Sequence, residues 1–117
     1  MLTKDAILAA DDLPKEVVDV PEWGGQVTIR SMTGTERDDF EQSIFDANDK
    51  SKKKNMKNIR ARLCALTMVD ESGNRLFDVS DIEALGKKSS KALDRVFAVA
   101  QKLNGLSPTD VEEMAGN

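Results

Sequence analysis

Residues 17–40 read VVDVPEWGGQVTIRSMTGTERDDF, and the rest of the chain can be placed outward from them. Val18 and Val20 share one face of a predicted strand, and Val27 and Ile29 share one face of a second, because side chains alternate along an extended backbone. Between them stands Pro21-Glu22-Trp23-Gly24-Gly25. Proline ends the first strand, and two glycines permit the φ > 0 conformations of a tight reversal, so the segment predicts an antiparallel β-hairpin. A helix follows at once. Thr33, with Glu36 three residues on, has the pattern of a capping box, in which the hydroxyl closes one free N–H and the carboxylate reaches back to another. Two strands alone are marginal in water, so the Val20/Ile29 face must pack on helices.

Those helices are legible from periodicity. Thr3 to Ala10 predicts a short helix capped by Thr3, with Ile7 and Leu8 as its apolar pair, broken by Asp11-Asp12-Leu13-Pro14. The helix entered at Thr33 is predicted to reach about Asn48, with Phe40, Ile44 and Ala47 on one stripe. The polar run Lys50 to Lys57 reads as a loop. Asn58 to Val69 predicts a central core helix, with Ile59, Leu63, Leu66, Cys64 and Met68 on a wide apolar face and Arg60 and Arg62 off it. Asp70 to Asn74 is a turn cluster, after which Leu76-Phe77 re-enter the core. Ser80 and Glu83 suggest a second capping box, opening a short helix that Gly86 closes. Ser89 or Ser90 caps a long helix to about Asn104, on which Leu93, Val96, Phe97, Ala100 and Leu103 form one face and after which Gly105 suits a left-handed cap. Ser107-Pro108 predicts a last short helix. The expectation is one α+β domain over residues 1–117, mainly helical, with about four to six helices and one small antiparallel β-hairpin near the N-terminus.

Composition limits the chemistry. The chain has 117 residues, no His, no Tyr and one Cys. Cys64 sits among Leu63, Ala65 and Leu66, so it reads as a small buried apolar residue. The usual general base near neutral pH and the usual Ser-His or Cys-His nucleophile pairs are therefore missing. The acids fall on solvated faces and turns without apolar neighbours to raise a pKa. No catalytic residue, cofactor site or metal site is assigned. Asp70 to Asp81 superficially resembles a calcium loop, but position six is Arg75 where a sharp turn needs Gly, and Asp81 stands where a bidentate Glu belongs. A reducing compartment is expected, with neither a signal peptide nor a membrane span.

A net charge of −4 and a pI near 4.9 oppose a whole-domain nucleic-acid footprint. Lys50, Lys52, Lys53, Lys54, Lys57, Arg60 and Arg62 nevertheless make a stretch with no acid between them. It contains no aromatic residue to stack bases and no groove-reading motif, so it reads first as a solvated, charge-segregated surface that could also steer docking. Trp23 has two readings: an exposed interface anchor, or a ring folded back onto a core poor in aromatics.

The order Val20-Pro-Glu-Trp-Gly-Gly25, the strand end Ile29-Arg30, Thr33-Gly-Thr-Glu-Arg-Asp38 and Phe40 resembles the tail assembly chaperones of long, flexible-tailed bacteriophages. The run Asn58 to Phe77, with Arg62-Leu-Cys-Ala-Leu66 and Val69-Asp-Glu-Ser-Gly-Asn-Arg-Leu-Phe77, is similar to the same family, as are Ile82 to Gly86 and Lys102 to Gly105. This resemblance implies a non-enzymatic assembly protein of the host cell cytoplasm that binds the tape measure protein and helps bring the tail tube protein to it. In many such families a translational frameshift yields a second, longer product, and this chain would correspond to the short form. The partner face is expected to be helix-lined and bordered by the basic stretch, with Trp23, Lys52, Lys53, Lys54 and Arg60 as candidate contacts. A homo-oligomer is compatible with the same layout. The alternatives from other classes are a small nucleic-acid-binding regulator using residues 50–62, and a structural tail or head-completion subunit.

Overall fold

The computed structural model describes residues 1–45 and 55–107. In chain order these form α1 (Lys4–Ala9), β1 (Lys15–Val20), a 3-10 turn at Pro21–Trp23, β2 (Gly25–Arg30), α2 (Gly34–Ile44), α3 (Ile59–Thr67), β3 (Met68–Val69), a 3-10 turn at Val79–Asp81, α4 (Ile82–Gly86) and α5 (Ser90–Leu103). The architecture is α+β. The hairpin is present in the expected phase: Val18 pairs with Val27, Glu16 with Ile29 and Val20 with Gly25. Val20 and Ile29 are fully buried, whereas Val17, on the other face, is exposed. The turn differs from the prediction. Only Gly24 takes a left-handed conformation, at φ 73, and its N–H closes on Pro21 O at 3.0 Å. Gly25 is extended within β2, because one turn of 3-10 helix already reverses the chain.

A third strand was not expected. The predicted helix over 58–69 stops at Thr67, and Met68 and Val69 pair with Ile29 and Thr28, giving a sheet of order β1-β2-β3. The Thr67 hydroxyl donates back to Leu63 O at 2.8 Å, an arrangement that competes with helix continuation. The free edge of β2 then takes up the backbone groups of Met68 and Val69 that follow. Leu76 N–H bonds Met68 O at 3.0 Å, which draws the chain along this edge, but the Leu76 side chain stays exposed and only Phe77 joins the core.

Helix ends follow local chemistry. The Thr33–Glu36 capping box forms as predicted. The α2 helix ends at Ile44 rather than near Asn48, because Ser43 O is bonded by Arg62 and Ile44 O by Asn55 N–H, at 3.1 and 2.7 Å. Ala47, the loop through Lys54 and the segment from Pro108 lie outside the described residues. The cap before α4 is Asp78 with Asp81, at the 3-10 turn that leads into it and two residues earlier than the predicted Ser80 and Glu83. Gly86 has no left-handed conformation. It leaves room for the Asn58 side chain, whose Oδ1 would lie 2.5 Å from a β-carbon at position 86. At the end of α5, Gly105 does take φ 64, Leu106 N–H bonds Gln101 O and Gly105 N–H bonds Lys102 O, the two bonds of a Schellman cap.

The core is shared by the sheet and four of the helices. Phe40 and Ile44 of α2, Leu63 and Cys64 of α3, Leu85 of α4 and Val96 and Ala100 of α5 close over Val20 and Ile29. Six residues of the nine in α3 are buried, so it is the central helix. One of them is Arg62, which the periodicity had placed off the apolar face. By contrast α1, although capped by Thr3, buries no residue, and Ile7 and Leu8 are exposed.

Candidate partner-binding surface

Phe77 lies between two apolar hollows of the described surface. On one side it lines a hollow of about 290 Å³ with Trp23, Ala84 and Leu85. On the other it lines a hollow of about 260 Å³ with Phe40, Leu66, Val79 and Ile82. The two hollows share Phe77 and are taken together below as the Phe77 groove, with lining residues from α2, α3 and α4. Val79, at 78 % exposure, projects from its wall without a core to enter.

Each part is held by identifiable bonds. Glu22 accepts from Arg95 of α5 at 2.9 Å, tying the Pro21–Trp23 turn to the helix beneath. That hydrogen bond holds the Glu22 carboxyl below its ordinary value and raises Arg95 above its own. Of the two readings of Trp23, the structure shows the ring folded back onto the core. Its ring packs on the core, its Nε1–H is shielded with no hydrogen-bond partner, and its remaining surface lines the first hollow. Asp78 accepts from the Ser80 hydroxyl and from Ser80 N–H, and these bonds depress its carboxyl pKa. They hold the Val79–Asp81 turn against Phe77.

Arg62 secures the opposite wall. Its guanidinium donates to Ser43 O and Oγ, both at 3.1 Å, to Asn55 O at 2.7 Å and to Lys57 O. The end of α2 is thereby joined to the start of α3, and burial pushes the guanidinium pKa down. Arg30 plays a similar part at the sheet, donating to Glu36 at 2.8 Å and to Gly73 O at 3.0 Å.

The candidate residues from sequence are not gathered in one place. Arg60 pairs with Asp94 at 2.6 Å and lines a separate, more polar hollow beside Gly86. Lys57 pairs with Glu83 at 3.7 Å, so the three described members of the basic stretch are all engaged within the chain. Lys52, Lys53 and Lys54 lie outside the described residues. Phe77, Val79, Leu85 and Ile82 were missed as surface candidates, because a groove needs residues far apart in sequence and an apolar residue gives no signal of which side of it faces out.

Burial pushes the Cys64 thiol up to about 12, with nearby Asp94 adding to the effect. Asp70 Oδ1 accepts from Ser72 N–H and Asn74 N–H at 2.8 and 3.0 Å, so the apparent calcium loop is an Asx turn with Gly73 at φ 85. Among the described residues no group of three or more acids, Cys or His is placed to hold a metal, and no helix is long and apolar enough to cross a membrane.

The pattern of a family described as phage tail assembly chaperone matches residues 3–117. The chain belongs to that family. The solved structure of the bacteriophage HK97 tail assembly chaperone is similar in fold, with a TM-score of 0.60 at 18% sequence identity over 85% of this chain and 94% of that one. No curated protein gave a match. The kind of protein this family comprises is an assembly factor rather than an enzyme.

Proposed function

We propose that this chaperone binds the tape measure protein in the host cytoplasm and promotes assembly of the tail tube around it. The observation that carries the reading is the Phe77 groove, apolar along its floor and helix-lined on its flanks, in a chain of the tail assembly chaperone family. A long helical client exposes an apolar stripe that drives aggregation until it is covered. A helix-lined groove covers such a stripe by taking anchors at helical spacing. The tail tube protein is the second expected partner, reached in related systems through a longer frameshifted product. The wall around Phe77 is supported by two independent sets of hydrogen bonds, at Asp78 and at Arg62, so the groove is a formed feature rather than a gap between loose segments.

The test is co-expression with the tape measure protein of the same phage. The soluble fraction of the client should rise with the chain present, and equal insolubility with and without it refutes the reading. Changing Lys52, Lys53 and Lys54 to Glu in the same assay decides whether the basic stretch contributes. Equal rescue by both forms makes that stretch a solvated segment only.

A further inference from the structure

We infer that the Phe77 groove is selective for an amphipathic helix whose apolar anchors are flanked by Lys or Arg. This rests on the chaperone reading for the existence of a helical client, and it adds the client's charge pattern. Asp39, Asp78 and Asp81 border the groove, and none of them has an ion pair among the described residues. The arginines that line the same hollow are turned to acceptors of the chain itself. Arg62 donates to the carbonyls of Ser43, Asn55 and Lys57, and Arg75 lies 3.7 Å from Glu36. Among the described residues, Lys88, at the Leu85 end, is the one cation of the border without such a partner.

A docking helix therefore meets apolar walls in the middle and, at the rim, the Asp39 carboxylate together with those of Asp78 and Asp81, each of which accepts within its own turn through one oxygen and turns the other outward without an ion pair among the described residues. Basic flanks satisfy those carboxylates. Acidic flanks meet like charge, which costs affinity and excludes wrong partners more effectively than it strengthens right ones. The buried guanidinium of Arg62 tempers the potential, and rim pairs are exposed, so the expected preference for basic over acidic flanks is modest, about fivefold in Kd. It should shrink with added salt, because exposed pairs are screened.

The chain's single Trp reports on this site, since Trp23 lines the first hollow. The probes are two synthetic helical peptides of equal length, free of Trp and Tyr, with the same Leu/Phe face and either Lys or Glu flanks. The Lys peptide should shift Trp23 emission saturably, with the Glu peptide about fivefold weaker. Asp39→Lys should erase that difference, and Val79→Ser should weaken both peptides. Both positions are exposed, so the variants should keep the wild-type helical circular dichroism. Leu8→Ser, on the unpacked α1, should change neither titration. Equal binding of the two peptides, or binding of neither, overturns the inference. So does an emission shift that depends on protein concentration alone, which would put a second copy in the groove. If the tape measure protein is rescued while both peptides fail, this inference falls and the chaperone reading stands. If the Lys peptide binds while the client is not rescued, the chaperone reading falls and the groove's selectivity stands.

Discussion

Replacing Arg62 with Met should destabilise the fold through the backbone that Arg62 holds. The guanidinium satisfies the carbonyls of Ser43, Asn55 and Lys57, from a side chain on the central helix of the core. Met fills similar volume but donates nothing, so three carbonyls lose their partner. A shielded unsatisfied carbonyl costs about 1–3 kcal/mol, and the lower value applies here because Asn55 and Lys57 are exposed and water can reach them, giving about 3 kcal/mol in all. With an unfolding entropy of about 2.1 cal/mol/K per residue over 117 residues, this lowers Tm by about 12 °C. Arg62→Lys keeps the charge but not the fork, and one ammonium cannot serve three carbonyls in this geometry. It should lose at least half as much, about 6 °C. Thermal melts followed by helical circular dichroism read both variants. If Arg62→Met melts within about 3 °C of wild type, the carbonyls are satisfied without it; if Arg62→Lys matches wild type, charge rather than the planar fork is what matters. Because Arg62 lines the groove at the junction of α2 and α3, the Met variant should also bind the helical peptides more weakly at temperatures where it remains folded.

The two turn glycines should separate. Gly24→Val places a β-branched residue at φ 73 and should cost about 1–2 kcal/mol, while Gly25→Val, extended and with nothing within 4 Å of its β-carbon position, should be near neutral; equal urea midpoints for the two would refute the turn geometry. The Glu22–Arg95 pair should give an acid-dependent contribution. Folding lowers the Glu22 pKa from 4.5, so on acidification the unfolded chain takes the proton first; the stabilisation is present above that value and is lost as pH falls through the folded one. Arg95→Gln should narrow the gap between urea midpoints at pH 7 and pH 3, and an unchanged gap would remove this pair from the pH dependence.

How much was legible in the sequence varies with the range of the interaction. Capping at Thr33 and Ser89, the phase of the hairpin, the apolar face of α5 and the Gly105 cap are decided by residues within one or two turns of each other, so the sequence by itself determined them. The α+β class and the family pattern followed from the same local signals. What only the tertiary structure decided are the features that join distant segments. Met68-Val69 left the helical register because β2 offered an open edge, a condition set some forty residues earlier in the chain. Arg62 was assigned to solvent because a charged residue at the margin of an apolar stripe usually belongs there. It is buried because the end of α2 and the start of α3 meet with carbonyls that its guanidinium bonds. The groove was invisible for the same reason: Trp23 could be read as core or as surface and Phe77 read as core, and which side of an apolar residue remains uncovered depends on how many neighbours the fold brings to it, a quantity that no local spacing contains.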